Sequence, residues 1–290
     1  MNQKFLWASS ALLLACTGAA KAADWSDTAI SVRYGTAFAE PYDNNADGSR
    51  KDIKKAIVAL THASGYKYGT NFLNVDLLMS NAADPSYAGS DNGAHEVYVV
   101  YRHMLDLGKV SGANFKFGPV RGLGLTGGFD FNTKTDAGYN SKKRMLVLGP
   151  TVMFDVPGFL NVSLLALWES NAPYNTFSHT GTSRYHYDTH PMLTAAWGIP
   201  LGAGFSLEGF ANWIAAKGTN EFGGGTKPET NIDAQVMYDA SSLVGAAKNT
   251  FRIGLEYQYW RNKFGNPTVT PGAGPGATAR TPMIRVDYHF

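Results

Sequence analysis

The sequence predicts an all-β protein, an antiparallel transmembrane β-barrel of about twelve strands, and three observations carry that reading. Apolar and polar residues alternate with period two along most of the chain. The polar connections between these runs alternate in length. The chain stops on an aromatic residue, Phe290, after an unbroken alternation.

The leader comes first. Met1-Asn2-Gln3-Lys4 carries one positive charge, Phe5 to Ala15 is apolar, and Ala20-Lys21-Ala22 offers a small-x-small cleavage site. Residues 1–22 therefore read as an export signal and 23–290 as the barrel. The apolar run is too short for a membrane-spanning helix, which needs about 20 residues. Cys16 is the single cysteine and lies within the leader, in a stretch that resembles a lipoprotein processing box. Cleavage after Ala22 leaves no thiol, so no disulfide framework is expected.

The strands follow in order. Ile30, Val32 and Tyr34 alternate with Ser31 and Arg33; Val97, Val99 and Tyr101 alternate with Glu96, Tyr98 and Arg102. Leu123, Leu125, Phe129 and Phe131 oppose Thr126, Asp130 and Asn132. Phe205, Leu207 and Trp213 oppose Ser206, Glu208 and Asn212, and Ile232, Val236 and Tyr238 oppose Asp233 and Gln235. Near the end, Phe251 to Tyr259 and Ile284 to Phe290 repeat the pattern. Successive strand side chains point to opposite faces, so each run has one apolar and one polar face. The segments at 143–156, 159–169 and 189–199 are apolar on both faces and fit period two less cleanly.

Shorter turns are expected near 63–66, 107–121, 157–158, 200–204 and 241–249. Longer loops are expected at 39–52, 79–94, 133–142, 171–188, 216–230 and 262–280. An even strand number with short periplasmic turns and long external loops puts both termini on the periplasmic side. A soluble β-sandwich also alternates faces. The barrel is preferred for its strand lengths and for aromatics such as Trp168, Trp197, Trp213 and Tyr259 at the ends of apolar faces.

Composition narrows the function. The formal net charge of +2 matches the two lysines of the leader, so the remainder is neutral and has no basic run for nucleic acid. No apolar stretch after the leader is long enough for a helical span. Four short motifs suggest chemistry. Asp43 to Gly48 matches half of a calcium loop, but its twelfth position is Lys54 instead of Glu. Gly122-Leu123-Gly124-Leu125-Thr126-Gly127 spells a dinucleotide fingerprint but runs on as a strand, where that motif needs a helix. His186, Asp188 and His190 share one face of an extended segment without a specified fourth metal ligand. Ser178-His179 invites a barrel lipase, yet adjacency points the two side chains apart. No catalytic residue, metal or cofactor is expected, and the chain is read as a non-enzyme.

The presumed lumen face holds Arg33, Glu96, Arg102, Asp130, Arg144, Glu169, Glu208, Asp233, Arg252, Glu256, Arg285 and Asp287, with Tyr98, Phe210, Trp260 and Phe72. The signs are mixed, where an ion-selective pore would show an excess of one. Such a lining suits a neutral, partly aromatic solute, because rings stack on aromatics while hydroxyls and amides bond to charged groups. A charged network that plugs the lumen of a structural or receptor barrel is the alternative. A barrel of about twelve strands leaves a narrow passage.

Several blocks carry a family resemblance. They are Arg33-Tyr34-Gly35 through Phe38-Ala39-Glu40-Pro41, Tyr66 to Asp76, Glu96 to Arg102, Leu255 to Trp260, and Val286 to Phe290. In these the chain resembles the Tsx-like family of nucleoside-specific channel-forming outer-membrane proteins. The resemblance implies a monomeric twelve-stranded barrel in the bacterial outer membrane, passing nucleosides passively through an aromatic and ionisable lumen. It implies outer-membrane lipid as surroundings, and periplasmic chaperones and barrel-assembly machinery as partners during biogenesis. Carried onto the matching positions, the substrate-binding lumen residues are Phe38, Glu40, Phe72, Asp76, Tyr98, Arg102, Glu256 and Trp260. Arg285 joins them through the phase of the closing strand. Strict alternation from Ile30 would turn Phe38 outward, so its place requires a bend after Gly35.

Overall fold

The computed structural model describes residues 23–175, 178–269 and 272–290. The leader and Cys16 lie outside them. Twelve long strands follow in chain order: β1 (Trp25–Phe38), β2 (Ile53–Tyr66), β3 (Gly69–Ser80), β4 (His95–Asp106), β5 (Val120–Lys134) and β6 (Lys142–Phe154). The second half is β7 (Phe159–Asn171), β8 (His190–Gly202), β9 (Phe205–Ile214), β10 (Glu229–Asp239), β11 (Phe251–Arg261) and β12 (Thr278–His289). Each pairs antiparallel with its neighbours in sequence. β1 then closes on β12, from Ala29 opposite His289 to Gly35 opposite Met283. No strand edge is left unpaired in the wall, which a chain in lipid requires.

Five turns sit at one end, together with both ends of the described chain: 67–68, 107–119, 155–158, 203–204 and 240–250. Six loops, most of them longer, sit at the other: 39–52 (L1), 81–94 (L2), 135–141 (L3), 172–189 (L4), 215–228 (L5) and 262–277 (L6). The first turn falls a few residues later than sequence suggests, because β2 keeps pairing with β3 as far as Tyr66 opposite Gly69. The 107–119 turn holds one short helix, α1 (Leu107–Ser111), started by the Asp106 side chain accepting from the Lys109 N–H and ended at left-handed Gly112.

The wall is polar inside and apolar outside. Leu255, Ile284 and Leu146 lie on the outer face with 60–69% of their surface accessible, while Lys55 and Glu256 on the inner face keep 1% and 3%. In water an exposed apolar belt of this extent would drive aggregation; in a bilayer it is the matching surface. Trp168, Trp213, Tyr257 and Tyr288 stand in the same exposed set.

Two local features depart from strict alternation. The β1–β2 register slips by one residue between Gly35 and Phe38, and this bulge turns Phe38 into the lumen. Phe38 packs there with Ile53, Ile57 and Met283. Gly35 makes room for it: a Cβ at Gly35 would lie 3.0 Å from the Phe38 ring and 2.8 Å from Met283.

Arg144 is the correction. Pairing of Asp130 with Met145 and of Asn132 with Lys143 places Lys143, Met145 and Val147 inward, and so puts Arg144 outward beside Phe131 and Ser170. A phase error of one residue inverts the face of every side chain in a strand. β6 had no regular polar row to set its phase, because its lumen face is apolar at Met145, Val147 and Met153 and polar only at Lys143 and Thr151. Met145, Val147, Leu165, Leu167 and Met192 form one cluster on the inner side of β6, β7 and β8. That is why these three segments read as apolar on both faces.

Candidate functional site: the lumen

The lumen is built from two unlike walls. On the side of β1, β3 and β10 to β12, charges interlock. The Arg33 guanidinium donates to Asp76 at 2.5 Å and to Glu256 at 3.2 Å. Arg285 donates to the other oxygen of Glu256 at 3.0 Å, to Asp287 at 2.8 Å and to the Gln235 side-chain amide oxygen at 2.7 Å. Glu256 therefore holds two arginines while its own side chain is wholly covered. Arg252 bonds Glu208 and Ser206 nearer the turn end, and Arg102 makes a two-point contact with Asp130. Burying such charges is tolerable only because each is paired and hydrogen-bonded.

The opposite wall is the apolar cluster of β6 to β8. Tyr98, reaching over from β4, packs against it together with Ile214. A passage between these walls meets donors and acceptors on one side and hydrocarbon plus an aromatic ring on the other.

Toward the loop end two carboxylates act as hubs. Glu40 of L1 accepts from Lys55 at 2.5 Å and from Lys263 of L6 at 3.0 Å, and Lys134 stands 3.7 Å away. Burial alone would raise the Glu40 carboxyl, but Lys134, Lys263 and Lys55 together hold it well below the usual carboxylate range. Glu169 accepts from Lys143 at 3.0 Å and from Lys217 of L5 at 2.7 Å. Tyr139 of L3 and Tyr187 of L4 both donate to Glu221 of L5. Burial, with Glu221 alongside, pushes the Tyr139 phenol up, so it stays a donor. Loops L1, L3, L4, L5 and L6 are thus tied across the mouth.

The nine residues singled out by sequence fall as follows. Asp76, Glu256 and Arg285 meet in one network, joined by Arg33. Glu40 belongs to the loop-end hub. Trp260 donates its indole N–H to Glu229 at 2.6 Å and lies 4.7 Å from the Lys263 ammonium, which links it to that hub. Phe38 lies under Lys55, whose ammonium is 5.7 Å from the ring centre. Tyr98 sits on the apolar wall. Phe72 and Arg102 are cross-strand neighbours, with Phe72 still 40% accessible and Arg102 committed to Asp130.

Sequence reasoning missed the five lysines Lys55, Lys134, Lys143, Lys217 and Lys263, and the ring of Phe264 between the hubs. Lys55 and Lys143 sit in the inner-face rows of β2 and β6. The other signal was slight: each of the five lies in a loop or near a strand end.

The four short motifs resolve into local structure. Asp47 closes its turn by accepting from the Ser49 N–H at 2.9 Å and the Ser49 hydroxyl at 2.6 Å. The glycines from 122 to 128 belong to β5, which runs on to Lys134. His186 is exposed on a short rung against Ser170, while His190 faces inward and contacts the Asp188 carbonyl at 2.7 Å. Among the described residues no three His, Cys, Asp or Glu side chains converge to hold a metal. Ser178 is exposed and pairs its hydroxyl with Thr180 at 2.6 Å.

No family model matches the chain, and no curated protein matches it. Solved structures similar to it include the KdgM porin, at 11% identity over 90% of this chain and 99% of that one, with a TM-score of 0.41. The translocator domain of the autotransporter NalP from Neisseria meningitidis is 13% identical over 98% and 95%, with a TM-score of 0.45. A FadL homologue from Pseudomonas aeruginosa is 8% identical over 92% and 90%, with a TM-score of 0.39. At these values no cargo or activity passes from them to this chain.

Proposed function

We propose that this chain is a monomeric outer-membrane channel that passively admits small polar solutes carrying an aromatic ring, with nucleosides as the cargo class. The observation that carries this reading is the two-sided lumen. Its charges are matched in place by Arg33–Asp76, Arg33–Glu256, Arg285–Glu256 and Arg102–Asp130. A solute therefore meets oriented donors and acceptors without a strong single-sign field. Facing them, Tyr98 and the β6 to β8 cluster offer a surface for a planar ring. The Tsx-like sequence blocks supply the family expectation, and Asp76, Tyr98, Arg102, Glu256 and Trp260 are the residues of those blocks that line this passage. In this reading the turn end faces the periplasm, and assembly proceeds through periplasmic chaperones and the barrel-assembly machinery.

Single-channel current in a planar bilayer tests it. Millimolar adenosine or thymidine should lower or interrupt the current, and indifference to both would remove the nucleoside claim. The hubs at Glu40 and Glu169 favour a second reading, a barrel closed by its loops and used structurally or as a receptor. That reading gives no current from a correctly folded, heat-modifiable barrel.

A further inference from the structure

The two hubs are joined by one dipeptide. Lys263 points its ammonium into the Glu40 hub, 3.0 Å from the carboxylate and 3.1 Å from the Ala39 carbonyl. The next residue, Phe264, reaches the other hub: the Lys143 ammonium lies 4.1 Å from its ring centre. Lys143 belongs to β6 and Trp260 to β11, on well-separated parts of the wall, and the Phe264 ring touches both. Its centre is 4.9 Å from that of Trp260, edge to face at 70°. The phenyl ring therefore spans the passage between a cation and an indole.

This placement has a conformational cost. Asn262 and Phe264 both adopt left-handed backbone, at φ 50° and φ 60°. An aromatic residue rarely adopts that region, and it persists only where the surroundings over-determine it. Gly265 follows at φ 81°, and a Cβ there would press to 3.2 Å from the Lys217 side chain. L6 thus winds tightly against L5 to deliver this one ring into the lumen. A cation over a ring face and a second aromatic at its edge make a slot for a planar ring.

We propose that Lys143, Lys263 and Trp260 form a ring-binding subsite at the loop-end constriction, that Phe264 is its built-in occupant, and that an aromatic solute enters by displacing it. The inference rests on the channel reading and sharpens it: the cargo is selected at this slot by its ring, and Phe264 narrows the passage when no cargo is present. Displacement relaxes the left-handed backbone at Phe264, which offsets part of the loss of the internal contact.

The test compares wild type, Phe264→Ala and Phe264→Tyr in planar bilayers, each first shown to be a heat-modifiable barrel. Phe264→Ala is expected to raise unitary conductance several-fold and Phe264→Tyr to leave it near wild type. Adenosine is expected to block the Phe264→Ala channel, while ribose alone does not. Should Phe264→Ala fail to insert, Phe264→Leu, which keeps apolar bulk but lacks a ring, carries the same comparison. Equal conductance in wild type and the ring-less variant overturns the slot and leaves the channel reading standing. Silence from all variants overturns the channel reading and the slot with it.

Discussion

The two walls of the lumen are held together by opposite means. On β1, β3, β11 and β12 the inner residues are charged, and their order comes from directional bonds such as those converging on Glu256. On β6, β7 and β8 the inner face carries an apolar patch of Met145, Val147, Leu165, Leu167 and Met192, and the order of that patch comes from packing around Leu165 and Leu167, each 1% accessible. The contrast is between specification by geometry and specification by volume. A bonded network fails when one partner is removed, because the remaining charge is stranded. A packed cluster containing two methionines can relax around a missing group.

Changing Glu256 to Leu should have the largest effect. It leaves Arg33 and Arg285 without their shared carboxylate, at a cost of about 3–5 kcal/mol, read from guanidinium unfolding of the folded barrel. One position away the rule inverts. Leu255 faces outward at mid-strand, and Leu255→Arg should cost about 2–4 kcal/mol in a bilayer and far less in detergent that can deform around it. If Leu255→Arg proves neutral in lipid, the assignment of the two faces of β11 is wrong.

Leu165→Ala should cost about 2–3 kcal/mol, at the lower end for a buried leucine, because Met145 and Met192 can close over the gap. A loss equal to that of Glu256→Leu would erase the contrast between the walls. Arg144→Ala, on the outer face, should change stability by less than about 0.5 kcal/mol and leave conductance alone. An altered conductance would return Arg144 to the lumen.

The smallest effect concerns pH. The lysines hold the Glu40 carboxyl below its ordinary value, so its contribution is complete above about 4.3, the unperturbed glutamate value. It is lost only as pH falls through the lower folded value. Gating current and thermal stability should therefore be the same at pH 7 and pH 5. A change between those values would show that another group controls the mouth.

The two walls also differ in how readily they were read from sequence. β11 and β12 alternate cleanly because their charged inner rows contrast with their apolar outer rows, and Glu256 and Arg285 fell on the correct face. β6 to β8 offer no such contrast, so the phase of β6 was open and Arg144 was misplaced. Phe38 needed a one-residue bulge that alternation cannot announce, although Gly35 marks the place. The loop-end hubs were out of reach for a different reason. Glu40 and Lys263 are 223 positions apart in the chain, and nothing local indicates that L6 folds inward to bring them together. Period two reports the wall, while the constriction depends on loops that have no period.

Uptake of labelled thymidine into proteoliposomes most directly tests the claim that this lumen is a nucleoside route. A nucleoside channel gives uptake that depends on the barrel, saturates, and is reduced by excess adenosine but not by excess ribose. Entry no faster than into protein-free vesicles, from a preparation of folded and inserted barrel, contradicts it.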